Sequence, residues 1–177
     1  ELYPARTLDL FAGAGGGLLG GILLGWQCVC AVEIDAHCQQ VLSQRQKDDC
    51  LPWFPIFSDV REFDGKPWRE LVDVVTAGFP CQGYSSVGKR RGEKDPRNLW
   101  PDTIHIIREV GPPIAFLENV PDLVTFDYFG KIIGDLAESG YDAEWDVVSA
   151  ASVGAPHRRE RLWILAWSRG VLGTIPR

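Results

Sequence analysis

The stretch Thr7-Leu8-Asp9-Leu10-Phe11-Ala12-Gly13-Ala14-Gly15-Gly16-Gly17 decides the fold. Its first five residues form an apolar run interrupted by one acid and read as a first strand. The glycines follow where that strand turns into a helix reaching about Leu24. Glycines at such a turn let backbone amides approach a ligand at a helix N-terminus. Gly15-Gly16-Gly17-Leu18-Leu19-Gly20 satisfies the GxGxxG pattern, and Glu33 ends the next strand, Cys28 to Ile34. An acid there can accept hydrogen bonds from ribose hydroxyls. This fits a nucleoside-containing cofactor without choosing NAD over S-adenosylmethionine, and a purely structural turn has the same spacing.

Outward from that stretch, helices and strands alternate. Asp35 caps a helix running to about Gln46, a short strand lies near Ile56-Phe57, and Val72 to Ala77 is a buried strand. Residues 88–98 are polar and basic without an apolar period, which reads as a mobile loop. A helix from Leu99 to Val110 stops at Gly111-Pro112-Pro113. Ile114 to Leu117 is a strand, Tyr128 to Ser139 a helix closed by Gly140, and Tyr141 to Ala150 and Leu162 to Trp167 are the last strands. The order predicts an α/β, Rossmann-like fold: one domain over residues 1–177, with a mostly parallel sheet and helices on both faces.

The chain has 177 residues, 45% hydrophobic and 24% charged, enough for a real core. Its net charge of −6 argues against nucleic-acid binding by bulk charge but leaves room for a local basic face. The five cysteines (28, 30, 38, 50, 81) show no CxxC spacing, which points to reduced thiols in a cytoplasmic setting, or a nuclear one in a eukaryote. Cys28 and Cys30, two apart in a strand, are expected to share one face in the core. No metal site is expected: His37 and His105 read as helix residues and His157 as a hydrogen-bonding loop residue. The apolar run Gly17 to Trp26 is too short to span a bilayer, and no signal peptide is visible. The chain opens on Glu1 and has no methionine, so its native start is expected to lie elsewhere.

Chemistry concentrates beyond the strand ends. In Gly78-Phe79-Pro80-Cys81-Gln82-Gly83-Tyr84-Ser85-Ser86, Cys81 follows a strand's carboxyl end, where open α/β sheets place ligands. A thiolate there is a nucleophile when cations are near; the plain alternative is a small residue in a tight turn. Asp59-Val60 follows the short third strand, as an adenine-reading acid or as an ordinary cap. Glu118-Asn119-Val120 ends an apolar strand on the edge that carries Cys81, as a proton donor or a capping carboxylate. In Pro156-His157-Arg158-Arg159-Glu160-Arg161, the two arginines two apart point to one face of an extended segment. They can meet a phosphate or a base carbonyl, or form a solvated charge run.

Together these residues resemble the DNA (cytosine-5) methyltransferase family, in the family's order from Asp9 to about Trp167. Asp9 to Gly16 is similar to its first cofactor motif, Glu33 to its ribose-binding acid and Asp59 to its adenine-reading acid. Gly78-Phe79-Pro80-Cys81-Gln82 resembles the nucleophile motif, Glu118-Asn119-Val120 the ENV motif, and Arg159-Glu160-Arg161 the QRRxR-type motif. The resemblance implies an S-adenosylmethionine-dependent methyltransferase fold and transfer of a methyl group from S-adenosyl-L-methionine to carbon 5 of a flipped-out cytosine. Cys81 is then the carbon-6 nucleophile, Glu118 the group at ring N3, Arg161 the holder of the base carbonyl and Arg159 its support. Phe11, Gly13, Gly15, Glu33, Ile34, Asp59, Val60, Pro80 and Leu99 are implied to bind the cofactor. Ser85, Lys89, Arg90, Arg91 and Arg97 are implied to contact double-stranded DNA; an exposed basic loop without that role is the alternative.

Three departures qualify the match. Gly83-Tyr84 replaces the family's usual Pro-Phe, and His157 stands where a glutamine is usual. Nothing after Trp167 resembles the family's target-recognition region or its last two motifs, the final one of which packs beside the first. The chain therefore reads as a catalytic part, incomplete on its C-terminal side, that needs a second subunit or a downstream domain. The competing readings are a catalytically weak or inactive cofactor-binding or interaction domain descended from such an enzyme, and a tRNA cytosine-5 methyltransferase. An NAD-dependent oxidoreductase explains only the first two motifs.

Overall fold

The computed structural model describes residues 4–80 and 98–170. In chain order these form β1 (Arg6–Leu10), α1 (Gly16–Leu23), β2 (Gln27–Val32), α2 (Ala36–Lys47), β3 (Ile56–Phe57) and β4 (Val74–Ala77). After the nucleophile-like segment come α3 (Trp100–Val110), β5 (Ile114–Asn119), α4 (Asp127–Glu138), β6 (Tyr141–Ser149) and β7 (Glu160–Ser168). The strands make one sheet in the order β3-β2-β1-β4-β5-β7-β6. The β3-β2-β1-β4-β5 pairs are parallel; β7 enters antiparallel to both β5 and β6. Residues 150–159, which include one short helical turn at Ala150–Val153, separate β6 from β7. A parallel crossover needs about a dozen residues or more, so this pair closes as an antiparallel hairpin.

The order reverses between β1 and β4, which opens a crevice at the strands' carboxyl ends. Two clusters bury the sheet. The larger gathers Leu8, Leu10, Val75, Ala77, Ala115, Leu117, Leu162 and Ile164 with Trp100, Ile104 and Ile107 of α3 and Ile132 and Leu136 of α4. The smaller joins Leu18 of α1 and Leu42 of α2 to Cys28 and Ala31 of β2. The expectation that Cys28 and Cys30 share a face is wrong. Thr7 pairs with Cys28 but Leu8 with Cys30, so a bulge at Val29 turns the two side chains to opposite faces. Cys28 joins the smaller cluster and Cys30 the larger. Burial raises both thiols, Cys30 to about 12, so both stay protonated and unreactive.

The predicted caps form: Asp35 Oδ1 accepts from the Cys38 amide at 2.8 Å, and α3 ends on Gly111 in the left-handed conformation. At the head of α1, Gly15 has φ +93°, and a Cβ there would lie 3.0 Å from Leu42 Cδ2. Gly15→Ala therefore meets both backbone strain and a packed side chain. It is expected to cost about 1–3 kcal/mol, read as a lower midpoint in denaturant unfolding. Gly16→Ala, where a Cβ meets nothing within 4 Å, should leave the midpoint unchanged or raised. Among the described residues no helix is long and apolar enough to cross a membrane, and no group of His, Cys, Asp and Glu is arranged to hold a metal.

Candidate active site

The carboxyl ends of β4 and β5 and the start of β7 converge. β5 continues to Asn119, so Glu118 lies within the strand, not beyond it, and faces Trp163 across the antiparallel ladder. Two residues along β7, Arg161 stands diagonally opposite and its Nε donates to Glu118 Oε1 at 2.7 Å. The pair is partly exposed, with side chains at 26% and 30%, which leaves it reachable by a ligand. Arg161 is a strand residue, and Arg159 immediately precedes the strand. Room for Glu118 comes from Gly78, where a Cβ would sit 3.2 Å from Glu118 Oε2.

Asn119 closes the other side. Its Nδ2 donates to the Phe79 carbonyl at 3.0 Å, and its Oδ1 accepts from the Val120 amide at 2.9 Å. Phe79 packs on Trp100 of α3, with ring centroids 5.1 Å apart. The segment that enters Cys81 is thus fastened to both β5 and α3. Asn119→Ala leaves the buried Phe79 carbonyl without its side-chain donor, at an expected cost of about 1–3 kcal/mol. Hydrogen exchange of the Gly78 and Phe79 amides should accelerate more than that of β6.

Glu118, Arg159 and Arg161 line one cavity of about 550 Å3 together with Phe11, Gly16, Gly17 and Gly78. Its floor includes Phe116 and Trp163, stacked at 5.0 Å, and its wall includes Asp9 and Thr76. Asp9 is buried, and its two oxygens accept from the hydroxyls of Thr7 and Thr76, each at 2.6 Å. Burial pushes its carboxyl up, while these hydroxyls pull it back down. Asp9 and Asn119 were expected only as members of motifs, with no role of their own, and Thr76 was not expected at all. Their signal was present all the same: an acid inside the apolar β1 run and a hydroxyl inside the apolar β4 run.

Of the residues expected to bind a cofactor, Phe11 lines this cavity and the others do not. Glu33 is buried and holds the glycine loop: its Oε2 accepts from the Gly13 amide at 2.6 Å and its Oε1 from the Asp35 amide at 2.8 Å. Phe11 has φ +57°, a left-handed conformation costly for an aromatic residue, on the same loop. Ile34 is 61% exposed, an apolar side chain turned outward after β2. Val60 buries its side chain in the core, so it can offer a ligand only its backbone. Asp59 is engaged by Arg61, whose Nη2 donates to Oδ2 at 2.6 Å and whose Nε and amide donate to Oδ1. Those bonds hold its carboxyl below the usual carboxylate range. Leu99 precedes α3, its carbonyl accepting from the Thr103 hydroxyl, and Pro80 is half-buried. Cys81, Ser85, Lys89, Arg90, Arg91, Arg97 and the loop expected over 88–98 lie outside the described residues, Asn98 excepted.

Residues 5–171 match the family model of C-5 cytosine-specific DNA methylases. The chain is 35% identical over 162 residues to the type II methyltransferase M.CviJI of Paramecium bursaria Chlorella virus IL3A, covering 91% of this chain and 42% of that protein. It is 35% identical over 167 residues to the type II methyltransferase M.Eco47II of Escherichia coli, covering 90% of this chain and 39% of that protein. The chain thus spans less than half the length of these curated relatives. In fold it is similar to the Dnmt2 methyltransferase of S. pombe, with a TM-score of 0.75, 20% identity, and coverage of 93% of this chain and 51% of the other.

Proposed function

Because this chain belongs to the C-5 cytosine-specific DNA methylase family, we propose that it is the cofactor-binding and nucleophile-bearing part of an S-adenosyl-L-methionine-dependent DNA (cytosine-5)-methyltransferase. The observation that carries the reading is the Glu118–Arg161 pair, 2.7 Å apart on a cavity beside the segment that leads into Cys81. Carbon 5 of cytosine is a poor nucleophile, and a thiolate adding at carbon 6 makes it a better one. The Cys81 thiolate forms the sulfur–carbon bond while Glu118 donates a hydrogen bond or proton at N3, so the electron pair moves toward carbon 5. Arg161 binds the base carbonyl, and Arg159 adds positive charge beside it. The electron pair at carbon 5 makes the bond to the new methyl group; loss of the carbon-5 proton to solvent then leaves the carbon–hydrogen pair to re-form the 5,6 double bond, and the sulfur–carbon bond breaks to expel Cys81 as its thiolate. The base reaches this cavity only out of the helix.

The site's fit to the donor rests on the glycine loop, on Glu33 fixed beside it, and on the outward-facing Ile34 after β2. Phe11, Gly13, Gly15, Glu33, Ile34, Asp59, Val60, Pro80 and Leu99 are the residues that would hold S-adenosyl-L-methionine, with Arg61 displaced from at least one oxygen of Asp59. That cofactor supplies an electrophilic methyl group. Ser85, Lys89, Arg90, Arg91 and Arg97 would contact the phosphates of double-stranded DNA. Target recognition is assigned to the part of the relatives that this chain does not span, whether it is joined in cis or supplied by a second subunit.

The test is covalent capture on duplex DNA carrying 5-fluorocytosine, with S-adenosyl-L-methionine present. The chain is assayed alone and mixed with a second chain carrying the remaining portion of a relative. A denaturant-resistant adduct is expected in the mixture and is lost with Cys81→Ala. An adduct that persists in Cys81→Ala overturns the nucleophile assignment, and full sequence-specific turnover by this chain alone overturns the dependence on a missing part.

A further inference from the structure

Two distant parts of the chain meet on one buried ring beside the catalytic edge. Trp100, at the start of α3, carries Phe79 against its ring, with centroids 5.1 Å apart, and Phe79 stands two residues before Cys81. The Trp100 amide donates to Asn98 Oδ1 at 3.3 Å. Asn98 is itself buried, at 7% exposure, and its Nδ2 donates to the hydroxyl of Tyr128 on α4 at 2.6 Å. The two bonds use opposite ends of one side-chain amide, so flipping it would break both. Tyr128 is buried as well, in the larger core cluster. A line of contacts thus runs from α4 through Tyr128, Asn98 and Trp100 to Phe79. Asn98 also stands in sequence between Arg97, assigned to the phosphates, and Leu99, assigned to the cofactor. A buried amide is costly unless it is satisfied. Here its satisfaction requires a hydroxyl 30 residues further along the chain.

We propose that Asn98, held by Tyr128, is a positioning residue for the nucleophile: the pair sets Trp100, Trp100 sets Phe79, and Phe79 sets where the chain enters Cys81. The proposal rests on the reading of Cys81 given above. Neither Asn98 nor Tyr128 lines the cavity of the Glu118–Arg161 pair, so both act through what they hold. Covalent addition is sensitive to such fixing, because misplacing a reacting group by about 1 Å can cost about 10^2-fold in rate. Asn119 fastens the Phe79 carbonyl from β5, and the Tyr128–Asn98–Trp100 line fastens the Phe79 ring from α4. The approach to Cys81 is thereby held from two sides, and the second hold depends on one tyrosine hydroxyl.

The experiment measures the rate of covalent capture on 5-fluorocytosine duplex DNA, with DNA and S-adenosyl-L-methionine both saturating. The full 177-residue chain is used, mixed with the second chain that carries the remaining portion of a relative. Tyr128→Phe keeps the ring and removes the hydroxyl. Tyr141→Phe is its control: that hydroxyl is also buried and donates to the Pro112 carbonyl at 2.7 Å, but Tyr141 lies at the far end of the β6–β7 ladder from Arg161. Each variant loses one buried hydrogen bond, so both should lower the denaturant midpoint. Only Tyr128→Phe should slow capture, by about tenfold. Asn98→Ala should slow it by a similar or larger factor, and the double variant should be no slower than Asn98→Ala, since both changes remove the same bond. Should Asn98→Ala not fold, Tyr128→Phe against Tyr141→Phe decides alone. Capture at the wild-type rate by Tyr128→Phe, equal slowing by Tyr141→Phe, or a double variant as slow as the product of the singles overturns the proposal. A wild-type chain that gives no adduct overturns the Cys81 reading itself, and this inference with it.

Discussion

Glu118→Gln is expected to reduce covalent capture of 5-fluorocytosine DNA by roughly 10^2- to 10^4-fold, the range for loss of a positioned general acid. The substitution keeps the side chain's length and its place above Gly78, so the fold and the cavity survive. What it removes is the proton that Glu118 can deliver at N3 and the charge that fixes Arg161 at 2.7 Å. Arg161→Ala should give a loss of similar order. The double variant should fall well short of the product of the two, because residues acting as a unit are non-additive. Capture rates at saturating DNA separate the two effects: Glu118→Gln lowers the rate, whereas Arg161→Ala also weakens binding of the flipped base. Retention of the wild-type rate by Glu118→Gln would remove the glutamate from the chemistry.

The second large effect is on stability. Trp100 is fully buried at the start of α3, with its ring tilted against Phe79, and its Nε1 donates to Asp135 Oδ2 of α4 at 2.8 Å. Trp100→Ala is expected to cost about 3–5 kcal/mol through the cavity left behind. It also leaves Asp135 with Lys131, 3.2 Å away, as a remaining side-chain partner. Domains are commonly stable by only about 5–15 kcal/mol, so the denaturant midpoint should fall steeply. Trp100→Phe keeps most of the packing and should lose about half as much or less. Because Phe79 leans on this ring two residues before Cys81, even the phenylalanine variant should slow adduct formation in the trapping assay.

Much of this was legible because local chemistry and tertiary role agree. The apolar runs of β1, β4 and β5, the Asp35 cap and the Gly111 stop are each dictated by neighbours in sequence. The strand order was not readable in the same way, but short connections and right-handed crossovers left few alternatives. The two last strands were expected but their antiparallel pairing was not; it follows from a connection, residues 150–159, too short for a crossover helix.

Other features depended on contacts far apart in the chain. Nothing local announces the bulge at Val29, which splits Cys28 from Cys30; it follows from β2 pairing with β1 while packing under α1 and α2. Glu33 looked like a free ribose acceptor, and only the fold brings the Gly13 amide to it. Asp59 looked free as well, although its captor, Arg61, stands two residues away.

By itself the sequence determined the α/β alternation, the glycine loop, the family's motifs and their order, because these rest on period, turn chemistry and residue type. Only the tertiary structure decided that Glu118 and Arg161 meet at 2.7 Å, that Asn119 ties down the approach to Cys81, and that Thr76 completes the shell of Asp9. Each of these joins a strand residue to a partner on, or just past the end of, another strand. Side-chain partners across a sheet are set by register, and register is fixed by burial of a whole face rather than by any local stretch.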